Sequence, residues 1–346
     1  MAVTLTNPYS RQSMDEAVRI FRTPNNFLSA MFFSRLRVES SPSIQFDVVK
    51  GGRTVGAYVG RNDEAIPVDR NAFNTKTLTP PLLAFSRTIT GKDLVDRIAG
   101  RHQFESGDGS AELMAQDYED LLNIIMRAEE KQAAGAALDG QITLLDINGR
   151  TLGDVINFGP TAEMRPTALA GNFVWGGSSS DPIGNLRTLA ELVQTYADVM
   201  ADTVIMRTSL YNTFAADAEV KSQLDTLRGP AGDKLTYQAM GLGAAFRGVI
   251  EGMNIYTYDG AYKAPGSDTL QYYIPATKVI VGSTQGEGTR YYGQVMSAEA
   301  GGMVTTDRYL DSWIEKNPDS ILIRAQSSPL LVPKRVDAFA VQQVIA

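Results

Sequence analysis

Residues 110–138 read SAELMAQDYEDLLNIIMRAEEKQAAGAAL, and they carry the clearest helical pattern in this chain of 346 residues. Ser110 is a favourable N-cap, and Glu112 in the first turn suits the positive end of the helix dipole. Such a helix would span about 42 Å at 1.5 Å per residue, which is long for a globular protein. The predicted buried stripe contains Met114, Tyr118, Leu121, Leu122, Ile125 and Ala128.

The same region is strongly acidic. From Glu105 to Glu130 there are eight acidic residues and one basic residue, Arg127, which together give a charge of −7. One interpretation is a solvated polar face. The alternative is that the basic N-terminal segment of a neighbouring subunit lies along this face, which would make Arg11, Arg19 and Arg22 assembly contacts.

Upstream of the helix, residues 44–60 predict a hairpin. Ile44, Phe46 and Val48 alternate with polar residues, and residues 55–59 alternate again after Gly51-Gly52. Two alternating runs joined by a glycine pair are typical of two strands and a tight turn. Residues 61–92 are rich in Pro, Thr, Asn and charge, and they predict a long projecting loop. Residues 1–40 predict an extended arm with one or two short helices.

Downstream of the helix the pattern is mixed, which predicts an α+β fold. Asp181-Pro182 supplies a cap and a first-turn proline for a second helix, whose predicted stripe runs from Leu186 to Met200. A third helix is expected over residues 213–227. Strands are expected at residues 203–207, 278–281, 321–325 and 337–345, and a further hairpin at residues 255–263.

Composition excludes several classes of chemistry. The chain has no cysteine and one histidine, His102, so thiolate zinc sites, cysteine nucleophiles and sites with two imidazoles are excluded within one chain. The net charge of −7 does not favour sequence-specific duplex binding. No apolar run approaches the length of a membrane-spanning helix. The sequence therefore predicts no catalytic residue, no cofactor and no metal site.

Two weak signals remain open. The carboxylates of Asp117 and Asp120 would be the acid–base pair of a cytosolic hydrolase, although exposed helix charges explain them more simply. The tyrosines near residues 256–273 would stack on bases or sugars, but strand packing is the default interpretation. The arm, the hairpin and the long helix all present apolar surface that one subunit cannot cover, and this pattern indicates assembly.

The C-terminal third adds a resemblance to a known family. Residues 279–293 read VIVGSTQGEGTRYYG, and residues 325–331 read AQSSPLL, followed by Asp337-Ala338-Phe339. A strand with a Gly-x-Thr-Gln turn, an Arg-x-Tyr-Gly segment and these closing strands resembles the major capsid proteins of lambda-like tailed bacteriophages, the phage major capsid protein E family. The helix at residues 221–228 is also similar to that family.

The resemblance implies a Hong Kong 97-like tailed-phage capsid fold. Residues 1–40 would be the N-terminal arm and residues 41–92 the extended loop. Residues 93–180 would form the peripheral domain with its spine helix, residues 181–320 the axial domain, and residues 321–346 terminal strands returning to the peripheral domain. The expected assembly contacts are Arg11, Arg19, Arg22, Ile44, Phe46, Val48, Gly51, Gly52, Val55 and Tyr58.

The implied function is structural. The protein would assemble with itself as hexamers and pentamers into an icosahedral virion shell in the host bacterial cytoplasm. The shell would enclose double-stranded DNA that it contacts weakly, and scaffold, portal and decoration proteins are further expected partners. A nanocompartment of the encapsulin type, which has the same fold, remains the alternative.

Overall fold

The computed structural model describes residues 26–41, 43–49, 58, 73–90, 109–153, 155–226, 238–241, 243–297, 301–316 and 319–345. Arg11, Arg19, Arg22, Gly51, Gly52, Val55 and His102 lie outside these ranges. Within them the helices are α1 (Phe27–Phe32), α2 (Gly109–Leu138), α3 (Pro182–Ala197), α4 (Thr208–Ala216) and α5 (Ala218–Thr226). Short 3-10 turns lie at Ala162–Met164, Gly171–Phe173, Thr284–Gly286 and Val336–Ala338.

Strands make up most of the remaining regular structure. In chain order they are β1 (Arg35–Val38), β2 (Ile44–Val49), β3 (Phe73–Leu78), β4 (Leu83–Thr90), β5 (Gln141–Ile142), β6 (Ile156–Asn157), β7 (Thr203–Met206), β8 (Gln238–Gly241), β9 (Ala244–Ile250), β10 (Met253–Tyr258), β11 (Ala261–Lys263), β12 (Leu270–Tyr272), β13 (Lys278–Gly282), β14 (Thr289–Tyr292), β15 (Val295–Ser297), β16 (Gly302–Val304), β17 (Tyr309–Lys316), β18 (Asp319–Ser327), β19 (Pro329–Val332) and β20 (Phe339–Gln343). The expected α+β class is confirmed.

The long helix α2 matches the prediction closely. Its N-terminal half packs through Met114, Tyr118, Leu121 and Ile125 against a sheet with the strand order β17-β18-β4. Its C-terminal half is rich in alanine and enters the main core. One helix therefore joins two separate apolar clusters, and its length is explained by this double role.

The largest sheet has the order β20-β13-β7-β10-β9-β8. The apolar strands β7 and β13 lie in its middle, where every residue from Val279 to Val281 is fully buried. The last strand, β20, pairs antiparallel with β13. The pairing places β20 in one sheet with strands that all lie within residues 181–320.

Helix α3 begins where the sequence predicts. The Asp181 carboxylate accepts a hydrogen bond from the Gly184 backbone N–H at 2.7 Å, and Pro182 occupies the first turn. Leu186, Leu189 and Val193 of the predicted stripe are buried. Met200 is not, since 69% of its surface is exposed.

Three local predictions are corrected. Strand β2 pairs with β3, so residues 61–92 contain two strands, β3 and β4, instead of a continuous loop. Except for Tyr58, the predicted return strand at residues 55–59 lies outside the described residues. The predicted third helix is two helices, α4 and α5, separated at Asp217. The predicted hairpin at residues 255–263 does not form, because β10 pairs with β7 and β9, and β11 pairs with β12.

Candidate assembly interface

The end of the N-terminal region is attached to the middle of α2 by a buried carboxylate. Glu130 is 1% exposed and accepts hydrogen bonds from the backbone N–H of Leu28 at 2.7 Å and of Ser29 at 3.0 Å. The Tyr258 hydroxyl donates to the same carboxylate at 2.9 Å. Both carboxylate oxygens are thus in use. The carboxylate of α2 joins the first turn of α1 to strand β10 of the large sheet.

Packing and a second hydrogen bond reinforce this attachment. The Phe27 ring lies 5.3 Å from the Tyr258 ring and 5.5 Å from the Tyr256 ring. The Asn26 side-chain amide donates to the Met126 carbonyl at 2.6 Å. Leu28 is completely buried. Residue 26 therefore has a fixed position beside α2.

The neighbouring Glu129 points to a different set of partners. Glu129 is also 1% exposed. It accepts a hydrogen bond from the Tyr292 hydroxyl at 3.1 Å and forms an ion pair with Arg308 at 3.4 Å. Burial raises the pKa of Glu129, and Arg308, the Tyr292 hydroxyl and Arg290 oppose the rise. Burial likewise raises the pKa of Glu130, whose hydrogen bonds with Leu28, Ser29 and Tyr258 oppose it.

These contacts correct the interpretation of the whole acidic region as a solvated face. Glu129 and Glu130 are internal, and Asp117 is 8% exposed. Asp117 and Asp120 both accept from Arg87 of β4, at 2.6 and 3.0 Å, so the suggested acid–base pair forms ion pairs that fasten β4 to α2. Among the described acidic side chains of α2, only Glu119 and Asp120 are exposed to solvent.

The predicted assembly contacts separate into two groups. Ile44 at the start of β2 is 1% exposed and belongs to the main core, where it pairs across the ribbon with Leu78. Tyr58, by contrast, is fully exposed. Phe46 and Val48 lie within β2, paired with Lys76 and Asn74.

Several large apolar side chains remain exposed on the single subunit. Strand β1 is exposed at every residue, with Leu36 at 49%. The end of the β17–β18 hairpin exposes Ile314 at 61%, and Met296 pairs across β15–β16 with Met303 while both are exposed.

The tyrosine cluster serves packing, which confirms its default interpretation. Tyr258 stacks on Tyr273 at 6.0 Å, and Tyr262 stacks on Tyr273 at 4.9 Å. Burial raises the pKa of Tyr258 and Tyr273 well above the usual range. Tyr272 is 41% exposed, and the Arg207 guanidinium lies 3.6 Å from its ring centre.

Two further observations concern the described residues only. No group of three or more acidic or histidine side chains within them is arranged to hold a metal ion. No helix among them combines the length and hydropathy needed to cross a membrane.

Comparison with solved structures defines the class of protein. The chain matches a capsid protein of an Escherichia coli CFT073 prophage over 97% of its length and 98% of that chain, with a TM-score of 0.72 and 18% identity. A phage-related protein from Bordetella bronchiseptica RB50 matches over 96% of both chains with a TM-score of 0.57 and 12% identity. The fold is that of tailed-phage capsid proteins, and the Hong Kong 97-like assignment is confirmed.

The family follows from the sequence. The family model described as phage major capsid protein E matches residues 10–344, and the chain belongs to this family. The major capsid protein of Enterobacteria phage P21 is 24% identical over 323 residues, which cover 91% of this chain and 92% of that protein. The major capsid protein of Escherichia phage lambda is 25% identical over 240 residues, 67% of each chain.

The protein is therefore a major capsid protein of a tailed phage and a component of the virion, where it associates with copies of itself. The related proteins are structural. The nanocompartment alternative is not favoured, because the family model and the curated relatives are phage capsid proteins.

Proposed function

We propose that the chain assembles as hexamers and pentamers into an icosahedral head that encloses double-stranded DNA, and that it has no catalytic activity of its own. Assembly takes place in the cytoplasm of the host bacterium, with scaffold, portal and decoration proteins as further partners. The division into an arm (1–40), an extended loop (41–92), a peripheral domain (93–180), an axial domain (181–320) and terminal strands that return to the peripheral domain (321–346) remains a prediction.

The ribbon formed by β2 and β3 is the observation that carries this proposal. Ile44 anchors one end of the ribbon in the core, and six residue pairs lead from there to Val49 and Phe73 at the other end. At about 3.4 Å per residue the ribbon is roughly 17 Å long. Among the described strands none lies beside it. Residues 50–72 continue the chain from its far end, and we propose that they contact a neighbouring subunit.

The register supplies a sharp test. Val49 and Phe73 are directly opposed, so residues 50–72 can be replaced by Asn-Gly, the preferred two-residue hairpin turn. We expect a soluble subunit with unchanged thermal stability that forms no closed shells in negative-stain electron microscopy. Tyr58→Ser is the matched control, because it keeps the full length of the loop and removes one exposed ring. It should reduce shell formation only in part. Normal shells from the Asn-Gly variant would contradict the proposed role of the loop.

The exposed acidic residues of α2 support a second contact. Glu119 and Asp120 are exposed near the N-terminal half of the helix, and Arg11, Arg19 and Arg22 are the complementary charges in the N-terminal segment. We expect Arg11→Glu combined with Arg19→Glu and Arg22→Glu to reduce assembly at low salt. Adding Glu119→Lys, which leaves the Arg87–Asp120 ion pair intact, should restore part of it. Unchanged assembly in the triple variant would remove this contact from the proposal.

The net charge bears on the contents of the shell. A charge of −7 per chain gives little attraction for the DNA backbone, and weak contact would let DNA move while it is packaged. We expect assembled shells to bind DNA weakly at physiological salt in a filter or mobility assay. Tight binding under those conditions would refute this part of the proposal.

A further inference from the structure

The turn at residues 145–151 carries the one Asn-Gly dipeptide of the sequence, Asn148-Gly149. A bridge between Leu145 and Thr151 closes the base of the turn, and both Asn148 and Gly149 are exposed. Gly149 has a φ of +76°, a left-handed conformation that glycine adopts without strain. The turn therefore presents to solvent an asparagine amide whose following residue has no side chain.

An asparagine followed by glycine is chemically labile, because no side chain shields the glycine nitrogen. A solvent base removes the proton of the Gly149 nitrogen, which then forms a bond to Cγ of Asn148. The bond from Cγ to the side-chain nitrogen breaks, and this nitrogen takes up a proton from water and leaves as ammonia. Water opens the resulting five-membered imide at either carbonyl, which gives aspartate or isoaspartate.

The hydrogen bonds of Asp146 oppose this reaction. The Gly149 backbone N–H donates to the Asp146 carbonyl at 3.0 Å, so the attacking nitrogen is already engaged. The Asp146 carboxylate oxygen Oδ1 accepts from the backbone N–H of Asn148 at 2.9 Å and of Arg150 at 2.8 Å. The turn must therefore open before the nitrogen of Gly149 can attack Cγ of Asn148.

A second turn lies against Asn148 and Gly149. A Cβ atom placed on Gly149 would be 2.8 Å from the Pro265 carbonyl oxygen, and one placed on Gly266 would be 2.9 Å from the carbonyl carbon of Asn148. The two turns are thus in close backbone contact. Isoaspartate adds one carbon to the main chain at residue 148, and both products add a negative charge, so the reaction has to disturb this contact.

We propose that Asn148 is a site of slow spontaneous deamidation, and that Asp146 sets the rate by holding the turn closed. The reacting atoms belong to neighbouring residues of one chain, so the reaction does not require assembly. It consumes water and releases ammonia, and it needs no oxidant, cofactor or enzyme. Each copy of the chain therefore undergoes this change with age.

Mass spectrometry of the purified full chain during storage at pH 8 measures the conversion. We expect aspartate and isoaspartate to accumulate at residue 148 and not at Asn172, which is also exposed but is followed by Phe173. Asp146→Ala removes the acceptor of two hydrogen bonds, so the conversion should become roughly tenfold faster. Asp146→Asn is the matched control, because its amide oxygen can accept both bonds, and it should convert at close to the rate of the unsubstituted chain.

Thermal melting verifies that both variants are folded before the rates are compared. If Asn148 of the unsubstituted chain survives as long as Asn172, the assignment of the site is overturned. Equal rates for Asp146→Ala and the unsubstituted chain would overturn the role of Asp146. Hydrogen exchange gives a separate measurement, in which residues 264–267 should exchange faster in the converted fraction. Unchanged exchange there would contradict the disturbance of the second turn.

Discussion

The Glu129–Arg308 pair offers a quantitative test of how the interior is held together. Arg308→Met removes the cation and leaves a carboxylate that is 1% exposed. Breaking a buried ion pair on one side typically costs about 3–5 kcal/mol. In the variant, the positive charge of Arg290 and a hydrogen bond from the Tyr292 hydroxyl still stabilise the Glu129 carboxylate. We therefore expect a loss of unfolding free energy at the low end of this range, about 3 kcal/mol at pH 8.

The loss should depend on pH in a defined direction. Burial already raises the pKa of Glu129, and removal of Arg308 raises it further. A carboxyl whose pKa is higher in the folded state than in the unfolded state stabilises the fold at low pH and loses that contribution as pH rises through the folded pKa. One pH unit corresponds to about 1.4 kcal/mol, so the defect of the variant should shrink as the pH falls through the raised pKa of Glu129 in the variant.

Urea unfolding of the soluble subunit, followed by the fluorescence of Trp175 and Trp313, measures this difference. The double variant Glu129→Gln with Arg308→Met is the control, because a neutral amide accepts from Tyr292 without a charge. It should recover part of the stability and show no pH dependence from this site. An equal loss for Arg308→Met at every pH at which the subunit remains folded would refute the reasoning.

Three further predictions concern single residues. Asp181→Ala should lower the free energy of unfolding by about 1 kcal/mol, whereas Asp181→Asn should change it by only a few tenths of a kcal/mol, because both Asp and Asn cap a helix. Urea unfolding measures both variants, and equal losses would contradict this prediction. Ile44→Ala should cost about 2–5 kcal/mol in subunit stability, whereas Tyr58→Ala should change the melting temperature little; a large effect of Tyr58→Ala would contradict its exposure. Lys334 holds the pKa of Glu287 below its usual range, so Lys334→Met should remove a small stabilisation that is present at neutral pH and lost on acidification; an unchanged acid unfolding curve would exclude it.

The parts of the fold that follow local rules could be predicted from the sequence. The 110–138 helix differs from α2 by one residue, because its apolar stripe extends over about four turns and an alanine-rich run follows it. The start of α3 could also be predicted from Asp181-Pro182, since an aspartate cap and a first-turn proline act within a few residues. Strand β13 follows from its uninterrupted apolar run.

The pairing of β2 could not be predicted in this way. Gly51-Gly52 suggests a local turn, but the register joins Ile44 to Leu78, and that choice depends on which strand completes the core around Ile44. Alternation determines which face of a strand is buried, and it does not identify a distant partner.

The buried positions of Glu129 and Glu130 in α2 could not be predicted from the sequence pattern. Glu129 and Glu130 resemble any exposed helix charges, and helical periodicity alone does not distinguish them from Glu119. Their partners are Tyr292 and Leu28, which are 163 and 102 residues away. One signal was available in the sequence: the two glutamates lie between apolar stretches at the junction of the acidic and alanine-rich halves of the helix.

The attachment of α1 to Glu130 has a mechanical consequence. A pulling force applied to the N-terminal segment enters the subunit at Asn26 and Leu28, which are held by Met126 and Glu130. These two positions lie beyond the midpoint of a helix that is about 45 Å long. Such a force therefore reaches α2 through the Met126 carbonyl and the Glu130 carboxylate and not through an end of the helix. Because Tyr258 shares the Glu130 carboxylate, part of the load passes straight into the large sheet.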